Sequence, residues 1–115
     1  MTDHKPAGKT TLSPEVLVTI AKMSALSVPG VSRLSATPDR FDRFFKRGAN
    51  EGVELKVEDG LVYLDLFLVL KPDVNVREVG RNVQHNTARA IEEMIGMDIG
   101  HVNIHIEDVD YTEEA

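Results

Sequence analysis

Between positions 53 and 70 the chain reads Val-Glu-Leu-Lys-Val-Glu-Asp-Gly-Leu-Val-Tyr-Leu-Asp-Leu-Phe-Leu-Val-Leu, and this run constrains the fold more than any other. Its first five residues alternate apolar and charged, the signature of a half-buried strand. Asp59-Gly60 is a two-residue hairpin signal, because both central positions of a type I′ turn need positive φ. The turn sets the pairing: Glu58 faces Leu61, Val57 faces Val62, Leu55 faces Leu64 and Val53 faces Leu66. All six core candidates, 53, 55, 57, 62, 64 and 66, then fall on one face. A slip of one residue would turn every one of them outward.

The flanking elements follow from their end signals. Ser13-Pro14-Glu15 starts a helix, with Ser as N-cap, Pro at the first helical position and an acid in the first turn. Val16, Leu17, Ile20, Met23 and Ser24 form its expected apolar face. Val28-Pro29-Gly30-Val31 suits a type II turn, and positions 31–34 a short strand. Pro72 ends the second hairpin strand. Asn75 caps a second helix, with Glu78 three residues on. Its apolar stripe is Val76, Val79, Val83, Thr87, Ala90, Ile91, Met94 and Ile95, and Gly96 suits the C′ position. Gly80 in this helix points to close approach onto the sheet, and Gln84, His85 and Asn86 read as solvated surface. The last strand runs from His101 to Val109, with Val102, Ile104 and Ile106 inward.

The order is helix, short strand, hairpin, helix, strand. It predicts an α+β fold of one small domain, with helices packed on one face of a three- to four-stranded mixed sheet. The domain spans 10–110, preceded by a disordered arm at 1–9 and followed by an acidic tail at 111–115. The 115 residues suit one domain, and 42% hydrophobic content is enough for a core.

Composition narrows the chemistry. A net charge of −6 disfavours general nucleic-acid binding. The lack of cysteine removes disulfides, thiolate metal sites and cysteine nucleophiles. The N-terminus has no apolar signal core, and the apolar run 61–70, interrupted by Asp65, is about half a membrane span. No catalytic, cofactor-binding or metal-binding residues are assigned, and no small-molecule substrate is evident.

The second hairpin face is more apolar than a solvated face should be: Leu61, Tyr63, Asp65, Phe67 and Val69. Its cover is either the 35–51 segment or another subunit. Glu54 faces Asp65 across this pair, a like-charge contact read as a solvated pair relieved by Lys56 or a neighbouring His. His101 and His105 share a face, but at about 3.3 Å per residue they are roughly 13 Å apart, too far for one ion. His105 paired with Asp65 or Glu54 reads as a surface hydrogen bond.

Residues 39–47 stand apart. They hold three of the chain's four Phe and four basic residues against two acidic. Phe41, Phe44 and Phe45 lie at i, i+3 and i+4, and Arg40, Arg43 and Arg47 flank them. Either this stretch pins its aromatics onto the sheet, or it is a docking element for a partner or the membrane surface. The candidate partner-binding set is therefore Phe41, Arg43, Phe44, Phe45 and Arg47, with Tyr63 and Phe67 of the sheet.

Laid end to end, these pieces resemble the alkaline shock protein family, the envelope-stress and general-stress proteins of Gram-positive-type bacteria. The matching residues are Leu12-Ser13-Pro14-Glu15-Val16 with Ile20-Ala21, then Val28-Pro29-Gly30-Val31, Gly52-Val53 and Glu58-Asp59-Gly60. The strand bearing Asp65 follows, then 79–96, which includes Val83-Gln84 and Ala90-Ile91-Glu92-Glu93-Met94, and finally 102–106. The resemblance covers about residues 10–110. It implies a non-enzymatic cytoplasmic scaffold or adaptor that self-associates and reaches the membrane through a partner protein. Two other classes stand as alternatives, the first of which can show a similar element order. A metal-cluster-assembly domain would need the missing cysteines, and a KH-like RNA-binding domain would need a GXXG loop and a basic groove.

Overall fold

The computed structural model describes residues 7–36, 46–47 (backbone only) and 52–111. Its elements are α1 (Pro14–Leu26), β1 (Val31–Leu34), β2 (Lys46–Arg47), β3 (Val53–Glu58), β4 (Leu61–Leu70), α2 (Val76–Ile95) and β5 (Asp98–Val109). The α+β class, the element order and the mixed sheet are those expected, with the two-residue β2 as an additional strand. The expected 1–9 arm and 111–115 tail fall largely outside the described residues.

β4 is the spine. β5 runs parallel along one side of it, from the Leu61–Asp98 pair to Leu70–Val109. The other side is shared end to end: β3 pairs with the first part of β4 and β1 with the last, both antiparallel. β2 extends the sheet beyond β3. At the junction the two strands meet on one residue. Ser35 N–H donates to the Phe67 carbonyl at 2.7 Å, and Phe67 N–H donates to the Gly52 carbonyl at 2.9 Å.

The hairpin register is the expected one: Val53 with Leu66, Leu55 with Leu64, Val57 with Val62 and Glu58 with Leu61. Asp59 and Gly60 have φ of 55° and 79°, as a type I′ turn demands. The face carrying Leu64, Leu66, Leu68 and Leu70 is completely buried beneath the helices. Val57 is the exception among the six core candidates; near the hairpin tip it is 48% exposed.

α2 is capped as expected. Glu78 N–H donates to Asn75 Oδ1 at 3.0 Å, and Gly96 closes the helix in the left-handed region. Val79, Val83, Thr87 and Ile91 are buried, whereas Val76 and Met94 are exposed, because the stripe outruns the surface it packs on. Val31 N–H returns to the Val28 carbonyl at 3.2 Å, closing the turn through Pro29 and Gly30.

α1 departs from expectation. Ser13 sits at the N-cap, but its side chain makes no capping bond; its carbonyl accepts from Val16 N–H at 3.0 Å. The buried face is Leu17, Val18, Ala21, Ser24 and Ala25, one residue round from the expected stripe. Small side chains at 21, 24 and 25 let the helix lie close to its neighbours, which the bulk of Val16 and Met23 would prevent. Asn86 of α2 secures the approach, its Nδ2 donating to the Ser24 carbonyl at 2.8 Å and to Ser27 Oγ at 3.0 Å. Gln84 Nε2 likewise donates to the Val102 carbonyl at 3.0 Å. Neither residue is merely solvated surface: they tie α2 to α1 and to β5.

Candidate functional site: the outer face of the sheet

The face of β4 turned away from the helices carries Tyr63, Asp65, Phe67 and Val69. Strand alternation places Glu54 and Lys56 of β3 on one flank and His101, Asn103 and His105 of β5 on the other. Parallel pairing brings Tyr63 beside His101 and Phe67 beside His105. Each pair is a ring contact. Tyr63 meets His101 edge-on with centroids 4.9 Å apart, and Phe67 stacks on His105 at 4.6 Å with 12° between planes. His105 Nε2 also lies 2.7 Å from Asp65 Oδ1. One imidazole is thus held by a carboxylate at its edge and an aromatic ring on its face.

Glu54 and Asp65 pair across the hairpin as expected, but they are not solvated. They are 1% and 3% exposed. Asp65 is compensated by a part-buried, charge-capable hydrogen bond to His105, which is why a carboxylate can sit there. Lys56 directs its amine to Glu58, 3.1 Å away. The two histidines expected to be too far apart for one ion serve different aromatics, and among the described residues no group of three His, Asp or Glu gathers.

Of the candidate partner-binding residues, Tyr63 is half-buried, its ring lying edge-on to His101. Phe67 is 1% exposed within a single copy of the chain, so in this arrangement its ring presents no surface to a second copy. Arg47 lies in β2, opposite Glu54. Phe41, Arg43, Phe44 and Phe45 lie outside the described residues.

Gly100 belongs to this face and escaped the sequence reading. It occupies a bulge where β5 gains a residue on β4 between the Val62 and Tyr63 pairs. A Cβ there would overlap the Tyr63 ring. A glycine inside a strand signals a bulge or a close approach, but starting the strand at His101 hid it. On the helix side, Gln84, His85, Arg89, Glu92 and Ile99 line an open cleft of about 550 Å³ between α2 and β5.

A family model described as the alkaline shock protein 23 family, with a cell envelope-related function, matches residues 2–111. Similar proteins include YqhY of Bacillus subtilis (strain 168), 28% identical over 117 residues, covering 98% of this chain and 87% of that protein. YloU of the same organism is 23% identical over 109 residues, covering 91% of each. Spy1614 of Streptococcus pyogenes serotype M6 is 28% identical over 102 residues, covering 85% of this chain and 84% of that protein. Among solved structures, the copper form of MamM CTD superposes with a TM-score of 0.61 at 13% identity, over 89% of this chain and 92% of that one. At that identity the likeness is one of fold.

Proposed function

Because the chain belongs to the alkaline shock protein 23 family, whose function is cell envelope-related, we propose that it is a non-catalytic cytoplasmic scaffold or adaptor of the envelope or general stress response. It self-associates. It meets a membrane-associated protein through Phe41, Arg43, Phe44, Phe45 and Arg47, with Tyr63 of the sheet alongside; Phe67, 1% exposed, stays part of the protein's own packing.

The observation that carries this reading is the clamp at Phe67. Ser35 and Gly52 bond to the two sides of that residue's backbone, so the segment between them is inserted at the middle of the central strand. The stretch that holds the basic and aromatic residues is flanked on both sides by residues bonded to β4. A short segment fixed in this way loses less entropy on meeting a partner than a free tail would. No helix among the described residues is long and apolar enough to cross a membrane, and a protein partner supplies that contact.

The test is recovery of partners from the native host after crosslinking, with wild-type, Phe44→Ser and Arg43→Glu chains. Loss of a membrane protein in both variants, at unchanged melting temperature, supports docking. If both variants keep every wild-type partner, docking through this segment is wrong. A clear fall in melting temperature for Phe44→Ser assigns the aromatics to the chain's own packing instead.

A further inference from the structure

α1 is apolar on two sides. One side, centred on Ala21, is buried in the core. The opposite side carries Val16, Thr19, Met23 and Leu26, all exposed, with Met23 at 64%. Their spacing of three, four and three is that of a heptad seam, the pattern by which one helix packs along another. Leu12, four residues before Val16 and 39% exposed, continues the line. A surface helix ordinarily sets charge on its outer side, and a helix hydrophobic all round is a buried one.

The two charges of α1 identify what covers the seam. Glu15 and Lys22 lie one heptad apart, each immediately before a seam residue. In a two-helix packing this flanking position meets its own equivalent when the helices run antiparallel. A second copy of α1, antiparallel, would set Glu15 beside Lys22 of that copy, and Lys22 beside Glu15. A parallel arrangement would instead set them beside Ile20 and Ser27, which offer no complementary charge. The charge pattern is self-complementary in one orientation, and that orientation closes about a two-fold axis.

We propose that the outward seam of α1 is the self-association surface. Two copies pair through antiparallel α1 helices, Val16 opposite Thr19 of the second copy and Leu12 opposite Met23, the register that sets Glu15 beside Lys22. Met94 of α2 flanks this seam, because it shares a cleft with Met23 and Ile20. This inference deepens the self-association reading above and rests on it, while moving the contact from the sheet to the helix layer.

Sedimentation equilibrium of the full chain over a micromolar range tests it. Met23 is exposed, so Met23→Glu leaves the fold intact, as its melting curve verifies, and should weaken association by about thirtyfold or more. Glu15→Lys and Lys22→Glu should each weaken it about three- to tenfold at low salt, and the double reversal should return it to within about twofold of wild type. If wild type associates and Met23→Glu associates equally well, the seam is not the interface, although self-association stands. If the double reversal is no better than the single changes, the antiparallel arrangement is wrong. A strict monomer at high micromolar concentration overturns this inference and the self-association reading together.

Discussion

Leu64 and Asp65 are adjacent on β4 and buried to nearly the same degree, at 0% and 3% exposure, but they face two layers held together differently. Beneath the helices, Leu64 lies among Leu55, Val62 and Leu66, where stability comes from area removed from water and from close packing. Such a layer accepts any arrangement that fills the volume. On the outer side, Asp65 is held by one hydrogen bond to His105, whose ring is stacked on Phe67. Here the contacts are directional and hold in one register. A slip of β5 by one residue would bring His105 into the core and Ile104 or Ile106 out. The difference teaches a division of labour: the aliphatic layer supplies most of the stability, and the polar, aromatic layer fixes how β5 lies on β4.

The largest expected effect sharpens the aliphatic side. Leu64→Ala should cost about 2–5 kcal/mol in denaturant unfolding, whereas Leu64→Met should cost less than about 1.5 kcal/mol because volume is conserved. On the other side a shape-conserving change should not be tolerated so well. Asp65→Asn should cost about 1–3 kcal/mol, since it weakens the hydrogen bond that compensates a buried carboxylate. A double-mutant cycle with His105→Ala should give a coupling of about 0.5–3 kcal/mol. Additivity within about 0.3 kcal/mol would break the comparison by showing the pair to be independent.

The smallest pair of effects uses two glycines. At Gly80 a Cβ would stand 3.9 Å from Ile104 Cγ2, an ordinary contact, so the close approach expected from the sequence is not what this position requires. Gly80→Ala should therefore stabilise the protein by about 0.5–1 kcal/mol. Gly100→Ala, pressed against the Tyr63 ring, should destabilise it by about 1–3 kcal/mol. Thermal melts with the same sign for both would mean that the two layers are equally forgiving.

The pattern of what was legible follows the same division. The hairpin register could be read because Asp59-Gly60 and the alternation of 53–57 agree, and α2 because both of its ends carry cap residues. The orientation of α1 could not be read, since two apolar stripes compete on it and only tertiary packing shows that Ala21 and Ala25 go inward. The His105–Asp65 hydrogen bond is expected from the sequence, but as a surface one, because nothing local shows that Glu54 and Asp65 are buried. That contact needs the β5 register, set by bulges at two points along β4. For the candidate site, Tyr63 and Phe67 could be placed on the outer face from alternation alone, but the burial of Phe67 depends on neighbours distant in sequence.

The end-to-end sharing of β4's flank by β1 and β3 also bears on how such a chain can change over time. The chain leaves β1 at Ser35 and enters β3 from Gly52, and both residues bond to the backbone of Phe67. Lengthening or shortening the stretch between them shifts neither β1 nor β3 on β4. Doubling the length of such an excursion costs only about 0.6 kcal/mol in closure entropy. The central strand acts as a splice point: the segment, β2 included, can be exchanged between relatives, grafted or tagged while the pairing of β1 and β3 with β4 is inherited unchanged.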